Sequence, residues 1–141
     1  MKKTVLLITL LFTSIFTFSQ IKEVERAEVV NKVSLLGDLI GQLNKTPNED
    51  HYFILYKDYK YTTLTSIKSF TIGNKETVLQ FKDIMLNMIK DKTKEKTIEL
   101  EGNTIMFKKR ANTIETYIIK NDVTGLMRWM NKKHINKLFH F

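Results

Sequence analysis

The most regular pattern of apolar positions lies between Asn74 and Lys92. Its apolar residues recur every three or four positions, which places them on one face of an α-helix. They are Val78, Phe81, Ile84, Met85, Met88 and Ile89. Asn74 can accept hydrogen bonds from the first backbone N–H groups, and Lys92 suits the negative end of the helix dipole. The segment predicts the main amphipathic helix of the domain.

Residues 27–43 carry a weaker version of the same spacing. The apolar positions that would share one helix face are Val29, Val33, Leu36, Ile40 and Leu43. This spacing predicts an N-terminal helix. Gly37, Gly41 and the valines are poor helix formers and leave open a strand in part of the segment.

Alternation of apolar and polar residues predicts about six strands, arranged in three hairpins. Residues 51–72 are dense in aromatic and β-branched residues and are divided at Lys57–Lys60, which predicts the first hairpin. Gly102–Asn103 and Asn121–Asp122 predict the two-residue turns of the other two hairpins.

Each of these tight turns fixes which residues lie opposite one another. A Gly102–Asn103 turn pairs Leu100 with Ile105 and Ile98 with Phe107, so that the apolar residues share one face. An Asn121–Asp122 turn pairs Glu115 with Arg128 and Ile114 with Trp129. Opposite charges and large apolar pairs across strands are favourable.

The predicted fold class is α+β. Strands joined by tight turns are antiparallel, so we expect one antiparallel sheet packed against the helix that begins after Asn74. Asn131 predicts the cap of a short C-terminal helix, Lys132 to Phe139, with Ile135, Leu138 and Phe139 facing inward.

The first nineteen residues have the composition of a cleavable secretory signal peptide. Lys2 and Lys3 precede a short apolar stretch, and Thr17 and Ser19 supply small side chains two residues apart. The stretch is shorter than the roughly 20 apolar residues that span a bilayer. We expect cleavage after Ser19, which leaves residues 20–141 as one soluble domain in the periplasm or outside the cell. An uncleaved N-terminal anchor is the alternative.

The charge and the cysteine count exclude several classes of function. The formal net charge is +8, and removal of Lys2 and Lys3 with the signal peptide lowers it to +6. Only three of the 23 basic residues are arginine, the residue that reads bases and clamps phosphates, so nucleic acid is not an expected partner. The chain has no cysteine, which excludes disulfides, a thiol nucleophile and bacterial lipoprotein anchoring.

No catalytic, metal or cofactor motif stands out. Residues 48–51 are polar and could offer oxygen ligands, but they lack calcium-loop spacing and are ordinary loop residues after Pro47. The three histidines are far apart in sequence and match no metal-ligand spacing. We therefore expect no metal, no cofactor and no integral membrane domain once the signal is removed.

A terminal aromatic segment suggests a membrane barrel, but its alternation would place lysines toward lipid.

A cluster of tyrosines is the most suggestive feature. Tyr52 and Tyr56 alternate on one strand face, where filling the core is the simpler explanation. Tyr59 and Tyr61 fall among the charged turn residues of the first hairpin, where complete burial is not expected. We therefore predict Tyr59 and Tyr61, with Tyr56 in support, as a binding surface, because tyrosine is enriched where proteins bind partners. Packing of Tyr59 against a neighbouring loop is the alternative.

The sequence does not identify the function. The expectation is a small, exported, non-enzymatic domain that binds a protein or a glycan of the cell envelope. The alternative is a small hydrolase that acts on envelope polymers through carboxylates that the sequence does not single out. A cleft with two facing carboxylates would favour the hydrolase, and an exposed aromatic patch would favour the binding domain.

Overall fold

The computed structural model describes residues 25–61 and 63–141. The predicted signal peptide, residues 1–19, lies outside this range. The described residues form eight strands and two helices. The strands are β1 (Glu28–Leu35), β2 (Asp38–Lys45), β3 (Tyr52–Lys57), β4 (Ile67–Gly73), β5 (Glu95–Leu100), β6 (Asn103–Arg110), β7 (Thr113–Lys120) and β8 (Val123–Asn131). The helices are α1 (Lys75–Lys90), between β4 and β5, and α2 (Lys132–Leu138), after β8.

The eight strands form two antiparallel sheets of four strands. Neighbours in sequence are neighbours in space, in the orders β1-β2-β3-β4 and β5-β6-β7-β8. The predicted α+β class is confirmed. The prediction of about six strands in three hairpins is wrong in detail, because the chain builds two four-stranded meanders and places α1 between them.

The predicted N-terminal helix is also wrong, since its residues form β1 and β2. The two strands are joined at Leu36–Gly37, where both φ angles are positive, as in a type I′ turn. The register shifts twice along this pair, once between Val33 and Ser34. Each bulge inserts a residue and interrupts the period of two. The apolar positions therefore recur at the three-residue spacing of a helix. Ile40 and Leu43 show this spacing, although both belong to strand β2 and point into the core.

Helix α1 has the predicted start and the predicted buried face. The Asn74 side chain accepts a hydrogen bond from the Thr77 backbone N–H at 2.9 Å. The buried residues of α1 are Val78, Phe81, Met85 and Met88. The prediction of a main helix over this segment is confirmed.

Phe81 lies at the centre of the core. Its ring packs against Phe70 of β4, Phe107 of β6 and Phe139 after α2, with ring centroids 5.1–6.0 Å apart. One aromatic side chain on α1 therefore touches both sheets and the C-terminal segment. Helix α2 begins as predicted, because the Asn131 side chain accepts from the His134 backbone N–H at 3.0 Å.

The two sheets are joined where β8 crosses the end of β3. Asp58, immediately after β3, forms an antiparallel bridge with Met127, and the Tyr59 N–H donates to the Leu126 carbonyl at 2.8 Å. The Tyr59 N–H therefore pairs with β8, whereas the Asp58 N–H donates to the Ser66 carbonyl across the first hairpin at 2.8 Å. β3 ends at Lys57 and β4 begins at Ile67, so their connection is longer than the predicted turn at Lys57–Lys60.

Glycine allows β8 to approach the first sheet closely. A Cβ atom added at Gly125 would lie 2.1 Å from the Tyr56 hydroxyl oxygen, and one at Gly41 would lie 2.5 Å from the Met127 methyl carbon. Both distances are too short for real atoms. At Gly125 the neighbour is the rigid ring of Tyr56, so this close approach requires glycine, whereas at Gly41 it is the flexible end of Met127.

The two predicted tight turns have different outcomes. The Asn121–Asp122 turn is confirmed, with φ angles of 48° and 62°. The Gly102–Asn103 turn is wrong, because Glu101–Gly102 makes the turn and Ile98 pairs with Ile105.

Asn103 stays in β6, where its buried side chain donates to two carbonyl groups of the preceding turn. The pairing of β5 with β6 is therefore shifted by two residues from the predicted register. The apolar residues Ile98 and Ile105 keep the predicted face. Across the described ranges, no helix is both long enough and apolar enough to cross a membrane.

Candidate binding site

A β-bulge near the end of β8 creates the most distinctive surface of the molecule. Between Met127 and Met130, which are both buried, β8 carries two residues where β7 carries one. The two residues are Arg128 and Trp129, and the single β7 residue in the same interval is Glu115. The bulge leaves two consecutive side chains outside the core, with Trp129 38% exposed. Bulges often direct side chains in this way at functional sites.

The bulge borders an open cleft of about 370 Å³, called here the Arg128 cleft. Its lining residues come from both sheets and from the crossing between them: Asp38, Tyr59, Glu115, Leu126, Met127, Arg128 and Trp129. The bridge between Asp58 and Met127 brings Tyr59 beside β8 and thereby joins the two halves of the cleft.

The central feature of the Arg128 cleft is an alternation of cations and aromatic rings. The Arg128 guanidinium carbon lies 5.3 Å from the ring centre of Tyr59 and 5.4 Å from that of Trp129. The ring centre of Tyr59 is also 5.2 Å from Lys57 Nζ. A cation within about 6 Å of an aromatic face is attracted to it. These contacts orient the two rings and the guanidinium.

The two carboxylates of the cleft are each paired with a cation other than Arg128. Lys57 Nζ donates to Asp38 Oδ1 at 2.8 Å, and this hydrogen bond lowers the pKa of Asp38 despite the opposing effect of desolvation. Arg110 Nε lies 2.9 Å from Glu115 Oε2, and the Tyr117 hydroxyl donates to the same oxygen at 3.2 Å.

This pairing argues against hydrolysis at the cleft. A glycosidase needs one carboxyl group that keeps its proton near neutral pH, which requires a raised pKa. Asp38 has the opposite shift, and Glu115 is paired with Arg110. Asp38 therefore lacks the raised pKa that a general acid of this kind needs.

His134 lies behind the exposed tryptophan. The ring centres of Trp129 and His134 are 6.3 Å apart, and burial together with the positive charges of Lys133, Arg128 and Lys137 lowers the pKa of the imidazole. His134 is therefore neutral at pH 7 and supports the indole without adding charge to the cleft.

The structure separates the three tyrosines predicted to form a binding surface. Tyr59 lines the Arg128 cleft. Tyr61 is 52% exposed and lies under Lys60, with its ring 5.6 Å from the ammonium, but it does not line the cleft. Tyr56 is only 2% exposed and lies between the sheets, where desolvation raises the pKa of its hydroxyl.

Sequence reasoning did not assign a functional role to Arg128 or Trp129. One signal for them was present, because the predicted register of β7 and β8 placed Arg128 opposite Glu115. That register holds from the turn as far as the pair Thr116–Met127. Ile114 pairs with Met130, not with Trp129 as predicted, because of the bulge.

A second open cleft, of about 380 Å³, lies between β4 and the turn that joins β7 to β8. Its aromatic residue, Tyr56, is buried, and one of its cations, Lys68, is paired with Asp58 at 2.6 Å. Unlike the Arg128 cleft, its lining therefore presents no exposed aromatic ring to a ligand. Within the part of the chain that the structure describes, no three histidine or acidic side chains are grouped to hold a metal ion.

Comparisons with protein-family models, with curated proteins and with solved structures found no match to this chain.

Proposed function

We propose that this protein is an exported, non-enzymatic binding domain that recognises a glycan of the cell envelope in the Arg128 cleft. The observation that carries the proposal is the β8 bulge, which presents Arg128 and Trp129 together beside Tyr59. The bulge also resets the alternation of β8, so that Met127 and Met130, three residues apart, both face the core.

The mixture of groups in the cleft favours a sugar over a protein partner. The C–H face of a sugar ring packs on aromatic rings such as Tyr59 and Trp129, while its hydroxyl groups exchange hydrogen bonds with carboxylates and guanidinium groups. Protein hot spots are instead centred on well-packed pockets that exclude water. A cleft of about 370 Å³ is at the small end of ligand sites, which suits a short segment of a glycan.

Export is part of this proposal and depends on the predicted signal peptide. Cleavage after Ser19 would place the mature domain, beginning at Gln20, in the periplasm or outside the cell, where envelope glycans are found. Mass spectrometry of the N-terminus of the exported protein tests this location: a chain that keeps Met1 in the membrane fraction would contradict it.

The binding proposal is tested by comparing Tyr59→Ala with Tyr61→Ala on an array of bacterial envelope oligosaccharides. Loss of the Tyr59 ring should weaken glycan binding about tenfold or more, as for other aromatic anchors. Tyr61→Ala is the matched control, because it removes the same group from an exposed position outside the cleft.

Thermal denaturation of both variants establishes that they remain folded. Equal glycan binding by Tyr59→Ala and the wild-type protein would contradict the proposal, as would the absence of any bound oligosaccharide. If a protein is recovered from envelope extracts and no glycan binds, the partner is a protein and not a glycan.

A further inference from the structure

We infer that the glycan bound in the Arg128 cleft is acidic and that Arg128 binds its carboxylate, as in a uronic acid. The inference rests on the proposed function and deepens it, because it names the chemical class of the ligand. Three features of the cleft support it: the hydrogen-bonding capacity left on Arg128, the charge balance of the cleft, and the fixed orientation of the guanidinium.

Arg128 is the cation of the cleft that lacks a carboxylate partner. Lys57 is paired with Asp38 and Arg110 with Glu115. Within residues 25–61 and 63–141, Arg128 forms no salt bridge, and its one hydrogen bond, to the Tyr59 hydroxyl, is long at 3.4 Å. A guanidinium has five N–H donors. Most of the donor capacity of this half-buried side chain is therefore available to a ligand.

The charges of the cleft leave a positive balance of one. Asp38, Glu115 and Arg128 line the cleft and sum to one negative charge. Lys57 and Arg110, which pair with the two carboxylates from outside the lining, bring the sum to +1. One carboxylate on the ligand would neutralise the remainder. A neutral sugar would instead cover Arg128 and remove water from it without replacing the lost hydration by an anion.

Two aromatic rings contact the Arg128 guanidinium and orient it. Tyr59 and Trp129 are at nearly equal distances from the guanidinium carbon, 5.3 and 5.4 Å. A planar guanidinium binds a carboxylate through two parallel hydrogen bonds, and it loses less entropy when it is already oriented. The exposed part of the Trp129 indole lies beside the guanidinium and is available to the attached sugar.

The test uses matched acidic and neutral oligosaccharides. The probes are trigalacturonate and its methyl ester, which differ in charge at the carboxyl groups, together with glucuronate oligomers and muramic acid fragments. Calorimetric titration of the wild-type mature protein should show at least one acidic probe bound about tenfold or more tightly than its neutral counterpart. In Arg128→Gln this preference should disappear.

Two further variants separate the role of Arg128 from general charge and from folding. Arg26→Gln removes the same charge from an exposed position away from the cleft and should keep the preference for the acidic probe. Arg128→Lys keeps the charge but not the bidentate geometry, and it should retain only part of the preference. Thermal denaturation establishes that each variant is folded.

The possible results distinguish this inference from the proposed function. Equal binding of acidic and neutral probes, or an acid preference that survives in folded Arg128→Gln, would overturn the inference and leave glycan binding in place. Binding of only the neutral oligosaccharides of the array would likewise overturn the inference and leave glycan binding in place. Failure of every oligosaccharide to bind would overturn both.

Discussion

At the scale of single residues, Asp58 stands out because it buries a carboxylate. Its side chain is fully buried at the crossing of the two sheets. Lys68 Nζ lies 2.6 Å from one carboxylate oxygen, and the backbone N–H groups of Leu126 and Lys60 donate to the other at 3.0 Å. Burial raises the pKa of Asp58, but these hydrogen bonds outweigh it and the net shift is downward. Asp58 is therefore ionised in the folded protein.

Replacement of Asp58 by asparagine should destabilise the protein by about 3 kcal/mol at pH 7, because it removes the partner of a partly buried charge. The pH dependence has a defined sign. Since the folded-state pKa is below its ordinary value of 3.8, the stabilisation is complete above that value and is lost as the pH falls through the folded-state pKa. The difference between wild-type and Asp58→Asn stability should therefore shrink below about pH 4.

Urea denaturation across pH 2–7 measures this difference. Asp38→Asn is the matched control, because Asp38 also pairs with a lysine and has a lowered pKa but lies at the surface. Its effect should be much smaller than that of Asp58→Asn, since exposed ion pairs contribute little. A wild-type advantage over Asp58→Asn that stays constant down to pH 2 would contradict the account of the crossing.

The tyrosines show what the sequence can and cannot predict at this scale. Alternation correctly placed Tyr52 and Tyr56 on the same strand face, and both are buried. The charged residues around Tyr59 correctly indicated a position near the surface. The sequence could not predict which element covers the end of β3. The bridge between Asp58 and Met127 of β8 joins residues far apart in sequence, and no local pattern indicates it.

At the scale of elements, α1 is the part that the sequence predicted best. Its apolar spacing, its Asn74 cap and its buried face all agree with the structure. The segment that became β1 and β2 was predicted worst. Bulges and glycines there disturb the alternation from which strands are recognised, and no local signal distinguishes the result from a weak helix.

The contrast between two adjacent residues of α1 tests the packing of that helix. Phe81→Ala should reduce the free energy of unfolding by about 3–5 kcal/mol, because the ring is buried and contacts three other phenylalanines. Gln80→Ala, on the exposed face, should change it by less than about 0.5 kcal/mol. Chemical denaturation measures both, and similar midpoints for the two variants would show that the helix packs through another face.

At the scale of the whole molecule, the Arg128 cleft depends on the joining of two separate sheets. Asp38 comes from the first sheet, Tyr59 from the crossing, and Glu115, Arg128 and Trp129 from the second sheet. Sequence patterns predicted several of the hairpins, but the relative placement of two meanders follows from long-range packing. The candidate site could therefore be predicted only in part, through Tyr59.

The central claim is that a glycan binds in the Arg128 cleft beside Trp129, and this residue provides a probe for that claim. Trp129 is the only tryptophan in the sequence and is partly exposed in the cleft. The most direct measurement is tryptophan fluorescence during titration of the mature protein with each oligosaccharide of the array. The account predicts a saturable change in intensity or wavelength for at least one oligosaccharide, and no such change in folded Tyr59→Ala. A glycan that binds to saturation without altering the fluorescence of Trp129, or the absence of any response across the array, would contradict it.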